Sequence, residues 1–196
     1  MKKQLFTLFI VSLLFVGSAF AQSFGVKGAF NMVKIYGSDA DGAKLMPAFN
    51  IGAYGDFAIA ESFYIRPELN YAMKGSKGEE DTKLTIHYLE IPVTFQYKAA
   101  LSDGSFILGA GPYMGIGLGG KAKAKDAGVE ISKDIEFGNE EGKVKRMDFG
   151  GKFYAGYELP MGLGFGLETN LGLTELMKDN KVKNIGFGLF LSYRIK

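Results

Sequence analysis

Between residues 63 and 73 the odd positions read Phe63, Ile65, Pro67, Leu69, Tyr71 and Met73, whereas the even ones, through position 74, read Tyr64, Arg66, Glu68, Asn70, Ala72 and Lys74. Successive side chains of an extended chain point to opposite sides, so a polarity period of two predicts a strand with one apolar face. The pattern returns further on. His87, Leu89, Ile91, Val93, Phe95 and Tyr97 stand against Tyr88, Glu90, Pro92, Thr94, Gln96 and Lys98. Leu163, Phe165, Leu167, Thr169, Leu171 and Leu173 alternate with a Gly-rich set that includes Glu168 and Asn170. In the last stretch Ile185, Phe187, Leu189, Leu191, Tyr193 and Ile195 alternate with Asn184, Gly186, Gly188, Phe190, Ser192 and Arg194. Across these four stretches the apolar face carries no formal charge.

Turn signals divide the chain into strands over 24–35, 48–59, 63–73, 86–98, 105–120, 146–159, 163–175 and 184–195. Three connections are tight, at Ala60-Glu61-Ser62, 99–104 and Pro160-Met161-Gly162, and four are long and polar, at 36–47, 74–85, 121–145 and 176–183. Tight turns at one end and long loops at the other are the arrangement of an up-and-down barrel in an outer membrane. Pro67, Pro92 and Pro112 fall inside these strands, so each is expected at a bulge or where its missing N–H goes unused. Within the longest loop, Lys121 to Lys125 alternates, and Val129, Ile131, Ile135 and Phe137 share one parity. A hairpin turning near Asp126-Ala-Gly128 and prolonging the fifth and sixth strands is expected there, with 138–145 mobile.

The choice of inner face separates a soluble barrel from a membrane barrel, because their polarities are inverted. Here the second face is small or hydrogen-bonding, with Gly109, Gly111, Gly115 and Gly117 along one strand. The apolar face is large, and Phe57, Phe63, Tyr97, Phe106, Tyr157, Phe165 and Tyr193 cluster near one set of strand ends as an interfacial girdle would. A soluble sandwich would need a second sheet to hide such a face. The expected fold is therefore all-β, an eight-stranded antiparallel up-and-down transmembrane barrel. By parity Lys27, Arg66, Lys98, Lys152 and Arg194 point inward together with Asp56, Glu68, Glu90, Asp148, Glu158 and Glu168. Eight strands leave an interior that side chains fill, so this polar network is expected to plug the barrel by pairing. Counting back from the turn at 60–62 with Ile59 facing Phe63 sets Asp56 opposite Arg66.

Ahead of the first strand, Met1-Lys2-Lys3, the apolar run Leu5 to Val16 and Ala19-Phe20-Ala21 have the three parts of a secretory signal, too short to span a bilayer. Residues 1–21 are expected to be removed between Ala21 and Gln22, leaving 22–196 as one barrel domain. The formal charge of +2 rests on Lys2 and Lys3, and without them 21 cations meet 21 anions. A neutral chain has no nucleic-acid footprint. With no Cys and one His, thiolate catalysis, disulfides and multi-histidine metal sites are excluded.

Three local motifs imitate sites. Gly109-Ala-Gly-Pro-Tyr-Met-Gly115 has the glycines of a dinucleotide loop, but the residues after it make a poor helix, and a Gly-faced strand accounts for them. Asp39-Ala-Asp-Gly42 opens like a calcium loop without the distal bidentate Glu, so it reads as an Asp-Gly turn. His87 lies on the apolar face where a lipid ester would approach, but no Ser sits two residues away to act as nucleophile. No catalytic, cofactor or metal residue is expected.

Gly25-Val-Lys-Gly-Ala-Phe-Asn31, Tyr88-Leu-Glu-Ile-Pro-Val93, Gly109-Ala-Gly-Pro-Tyr113 and Asp148-Phe-Gly-Gly151 together resemble the PorT-like outer membrane protein β-barrel family of Bacteroidetes-type bacteria, over about 22–196. The resemblance implies an exported, eight-stranded barrel of the bacterial outer membrane. Such barrels commonly end on an aromatic residue, and this chain ends Tyr193-Arg-Ile-Lys196. Three roles stay open from the residues. One is a structural or interaction barrel, taken to be a monomer, that touches outer-membrane lipid and meets envelope or extracellular proteins through its loops. The others are a narrow porin-like channel for ions or small solutes, and a lipid-modifying enzyme, which lacks a nucleophile.

Overall fold

The computed structural model describes residues 23–79, 82–126, 129–178 and 180–195. The signal segment and the Ala21–Gln22 junction lie outside the described residues. Nine strands follow one another: β1 (Ser23–Gly37), β2 (Met46–Ala60), β3 (Phe63–Lys77), β4 (Lys83–Leu101), β5 (Gly104–Asp126), β6 (Val129–Asp134), β7 (Met147–Glu158), β8 (Leu163–Gly172) and β9 (Val182–Ile195). Each pairs antiparallel with a neighbour, and β1 pairs with both β2 and β9. With β4 on β5 and β5 on β7, the ring of eight closes. The short β6 stays outside the ring, paired only to the far end of β5.

The alternation decides which way each strand faces. Phe30, Ile51, Leu69, Phe95, Leu108, Phe153, Leu167 and Leu189 are exposed on the outer wall. Their neighbours Lys27, Asn50, Glu68, Gln96, Lys152 and Glu168 are buried inside. A water-soluble barrel would have this reversed. No described helix is long and apolar enough to cross a membrane.

Most strands outrun their expected limits, whereas β7 and β8 stop short of theirs, and two details of register differ from the sequence reading. The β2–β3 turn is Glu61-Ser62, with Ala60 facing Phe63 and a bulge between Ala58 and Ala60, instead of Ile59 facing Phe63. The bulge absorbs the one-residue difference, so Tyr54 still meets Glu68, Phe57 meets Ile65, and 56 lies across from 66. The prolines mark no bulge. Register is the same on both sides of Pro67 and Pro112, although pairing lapses beside Pro67 between β2 and β3 and beside Pro112 between β4 and β5, as a missing donor requires.

The long loop also differs. β5 and β6 form the hairpin, Asp126 pairing with Val129, but β6 ends at Asp134 and does not run on into β7. The chain then folds back over the open end. Phe137 bridges to Val144, the Val144 and Lys145 amides donate to Glu136 and Leu176 carbonyls, and Val144 is buried. Residues 138–145, expected to be mobile, are thus tied at both ends. The reason is the apolar pair Phe137 and Val144, which finds Ile86 and Tyr88 at the top of the lumen.

Candidate functional site

The interior is built from one inward residue per rung of each strand, and it is layered. At the short-turn end Arg66 donates from Nε and Nη2 to the two Asp56 oxygens at 2.6 and 2.8 Å. Lys98 Nζ reaches Asp56 at 2.9 Å and Glu158 at 3.6 Å, and Arg194 donates to Glu158 at 3.0 Å. The Arg66 guanidinium also lies 3.9 Å from the Tyr54 ring centre, a cation–π contact on the side its hydrogen bonds leave open.

In the middle layer Lys27 and Lys152 both face Glu68 and Glu168. Lys27 Nζ is 2.7 Å from Glu68 and 3.3 Å from Glu168, and Lys152 is 3.1 and 3.7 Å from the same two. Asn50 donates to Glu168 at 2.7 Å and Asn70 to Glu68 at 2.9 Å. Nearer the long loops, Lys74 Nζ stands 2.6 Å from Glu90 and 3.1 Å from Asp148, with Asn184 donating to Asp148 at 3.2 Å.

The eleven inward residues of the sequence reading all occur in these layers, and Lys74 joins them. It lies on the same parity as Arg66 and Glu68, but only the extension of β3 to Lys77 carries it inside. With it, six cations (Lys27, Arg66, Lys74, Lys98, Lys152, Arg194) meet six anions (Asp56, Glu68, Glu90, Asp148, Glu158, Glu168). Balance matters because a buried charge without a partner costs several kcal/mol.

Aromatic rings and glycines fill the remaining space. The Tyr154 ring lies over Gly109, where an added Cβ would come 2.1 Å from its Cζ, so that strand position accepts no side chain. Its hydroxyl donates to Gln96 at 2.8 Å. Between the upper and middle layers, beside Asn31, Asn50, Lys74, Tyr113 and Asn184, the free volume is about 10 Å³. That is around the space of a single water, far short of a pore. Above, Ile86, Tyr88, Ile135, Phe137, Val144 and Met177 make an apolar cap across the mouth.

Gly109 to Gly115 runs inside β5, so no helix begins there. Asp39 Oδ2 accepts the Lys181 amide at 2.8 Å, and Gly42 takes a φ of +71°, so this segment is a turn that ties two loops together. His87 is on the outer wall, its Nδ1 2.7 Å from the Tyr71 hydroxyl and its ring stacked on Tyr71. Outside the barrel, Lys143 holds the Glu140 carboxyl below the usual carboxylate range by a hydrogen bond at the exposed tip of the returning loop, and is itself raised in exchange.

A closed eight-stranded ring, polar inside and apolar outside, defines a membrane β-barrel. Residues 20–178 match the family model described as outer membrane protein beta-barrel domain, and the chain belongs to that family. It is a β-barrel protein of the bacterial outer membrane. Among solved structures it is similar to Ail, the attachment invasion locus protein of Yersinia pestis, at 12% identity and a TM-score of 0.50, over 88% of this chain and 98% of that one. Ail has also been solved with the heparin analogue sucrose octasulfate. Neisserial surface protein A matches at 14% identity and a TM-score of 0.45, over 88% and 96% of the two chains. No curated protein matches the sequence.

Proposed function

We propose that this protein is an interaction barrel, a rigid, closed cylinder whose lumen is sealed by its own ion pairs and whose long loops meet partners outside the cell. The observation that carries this reading is the charge-balanced interior, six cations on six anions, beneath an apolar cap at the mouth. A solute would have to part these buried pairs, and an unpartnered buried charge costs several kcal/mol. The Ail complex with sucrose octasulfate, a ligand held by a barrel of this fold, supports a binding role. Within the family, the Leu89-Glu-Ile-Pro92 motif supports the PorT-like group, and the mature chain is proposed to start at Gln22.

Planar-bilayer recording tests the sealed lumen. The purified barrel is expected to insert without unitary conductance steps. Reproducible steps from the wild-type protein, abolished by Lys152→Met, would instead make it a channel.

A further inference from the structure

Beyond the sealed lumen, the outer wall carries a feature that neither plugging nor loop display explains. At the long-loop end of β3, β4 and β5, Lys77 pairs across with Lys83, and Lys83 with Lys123. Residues directly opposite in a sheet share a face, so these three lysines stand in one row across the strands. Ile86 is buried inside, which puts Lys83, Thr85 and His87, of opposite parity on β4, on the outer wall. One step below the row, Lys121 pairs with Thr85 and Gly119 with His87.

The strand irregularity shapes this wall. Tyr88 pairs with Gly117 but His87 with Gly119, so Leu118 is an extra residue. A bulge of this kind turns the succeeding residues of its strand to the other face. It delivers Gly119 to the outside, where an added Cβ would meet no atom within 4 Å. The result is a concavity of about 440 Å³ floored by Gly119 and Gly120 and flanked by Lys83, His87, Lys121 and Asp134. Neither Lys83 nor Lys121 has a side-chain hydrogen bond or ion pair among the described residues. Asp134, opposite Lys121 on β6, is the acidic wall. Just below, Leu118, Phe49 and Tyr71 continue the exposed apolar band.

We infer that this hollow binds the phosphate of an anionic lipid headgroup, with Lys83 and Lys121 as the charge partners, the glycine floor admitting the group, and Leu118 and Tyr71 against its acyl chains. The inference rests on the barrel reading, which makes this wall the lipid-facing one. The height is decisive: cations immediately beyond an apolar belt stand where headgroup phosphates lie, and basic residues there are attracted to anionic lipid. A soluble polyanion would gain nothing from the apolar side of the hollow.

The test uses the whole mature chain in phosphatidylcholine nanodiscs doped with phosphatidic acid, with retained lipid counted by native mass spectrometry. The wild type is expected to retain phosphatidic acid preferentially. Lys83→Gln/Lys121→Gln should lose about fivefold in enrichment per lysine removed. Gly119→Leu, with every charge intact, should lose it by filling the floor. Lys34→Gln/Lys183→Gln, on the opposite wall near the same end, should keep it. Heat-shifted gel mobility of each sample reports whether the barrel has formed, so a wild type without the shift counts against the barrel reading itself. A normal shift with equal retention of both lipids, or enrichment that survives both Gly119→Leu and the double lysine variant, overturns the site alone. Dextran sulfate captured in place of phosphatidic acid, and lost in the lysine variant, would reassign the hollow to a soluble polyanion.

Discussion

Asp56 and Arg66 illustrate what a buried residue needs in this protein. Both are fully inside, and each satisfies the other with two parallel hydrogen bonds that neither could make to lipid. Removing one partner leaves an uncompensated charge, so Asp56→Ala and Arg66→Ala are each expected to cost about 3 kcal/mol. The double variant should lose much less than the sum, because the second substitution removes the charge stranded by the first. Urea titration of the barrel refolded in lipid vesicles reads this directly. Additive losses would mean that the two groups are stabilised independently, Asp56 by Lys98 and Arg66 by Tyr54.

At the scale of elements, the segment between β6 and β7 is held by a few apolar side chains and not by a strand ladder. Phe137 lies over Gly117, where a Cβ would come 2.4 Å from its ring, and packs with Tyr88, Ile86 and Val144. The ring is partly buried, so its loss should cost less than the roughly 3–5 kcal/mol of a fully buried Phe. Phe137→Ala should therefore loosen the middle of the segment, whose ends remain joined to β5 by the Ile135 amide on the Gly120 carbonyl and the Gly117 amide on the Arg146 carbonyl, while the barrel stays intact. Limited proteolysis of the embedded protein should then become faster between 135 and 146, with β1 to β5 remaining as a protected fragment. Unchanged cleavage would show that the backbone ties at Val144 and Lys145 suffice to hold it. Glycine has a specific purpose here as well, since Gly117 leaves room for the Phe137 ring on the inner wall.

For the whole molecule, the two ends differ in every respect that matters to a partner. One end has only the turns Glu61-Ser62, Ser102-Asp103 and 159–162, while the other has the β5–β6 hairpin, the returning segment and the loops at 38–45 and 173–181. The chain contains no Cys, so single cysteines report sidedness without background. On intact cells a membrane-impermeant maleimide is expected to label Asn139→Cys and to leave Ser62→Cys unlabelled until the envelope is opened. The opposite result would invert the barrel in the membrane and move the proposed partner surface to the inner side.

The alternation of polarity, the tight turns and the inverted inside and outside were all legible along the chain, because the side on which a Cβ projects from a strand depends only on its own position. That is why parity alone sorts Lys27, Glu68, Lys152 and Glu168 onto one face. Which of them meet was not legible. Lys27 reaches Glu68 from 41 residues away, and Asn50 reaches Glu168 from 118, contacts that exist only once the ring has closed with a particular stagger of its strands. Lys74 was missed for a related reason. Its parity is right, but Gly75 and Ser76 read as the start of a loop, and only pairing with β4, Ser76 on Leu84 and Lys77 on Lys83, continues the strand past them. The bulges at Ile59 and Leu118 and the insertion of Phe137 into the mouth belong to the same class. Strand periodicity is a local property of the backbone, whereas register and closure are set by which neighbouring strand supplies the hydrogen bonds and which cavity is left to fill.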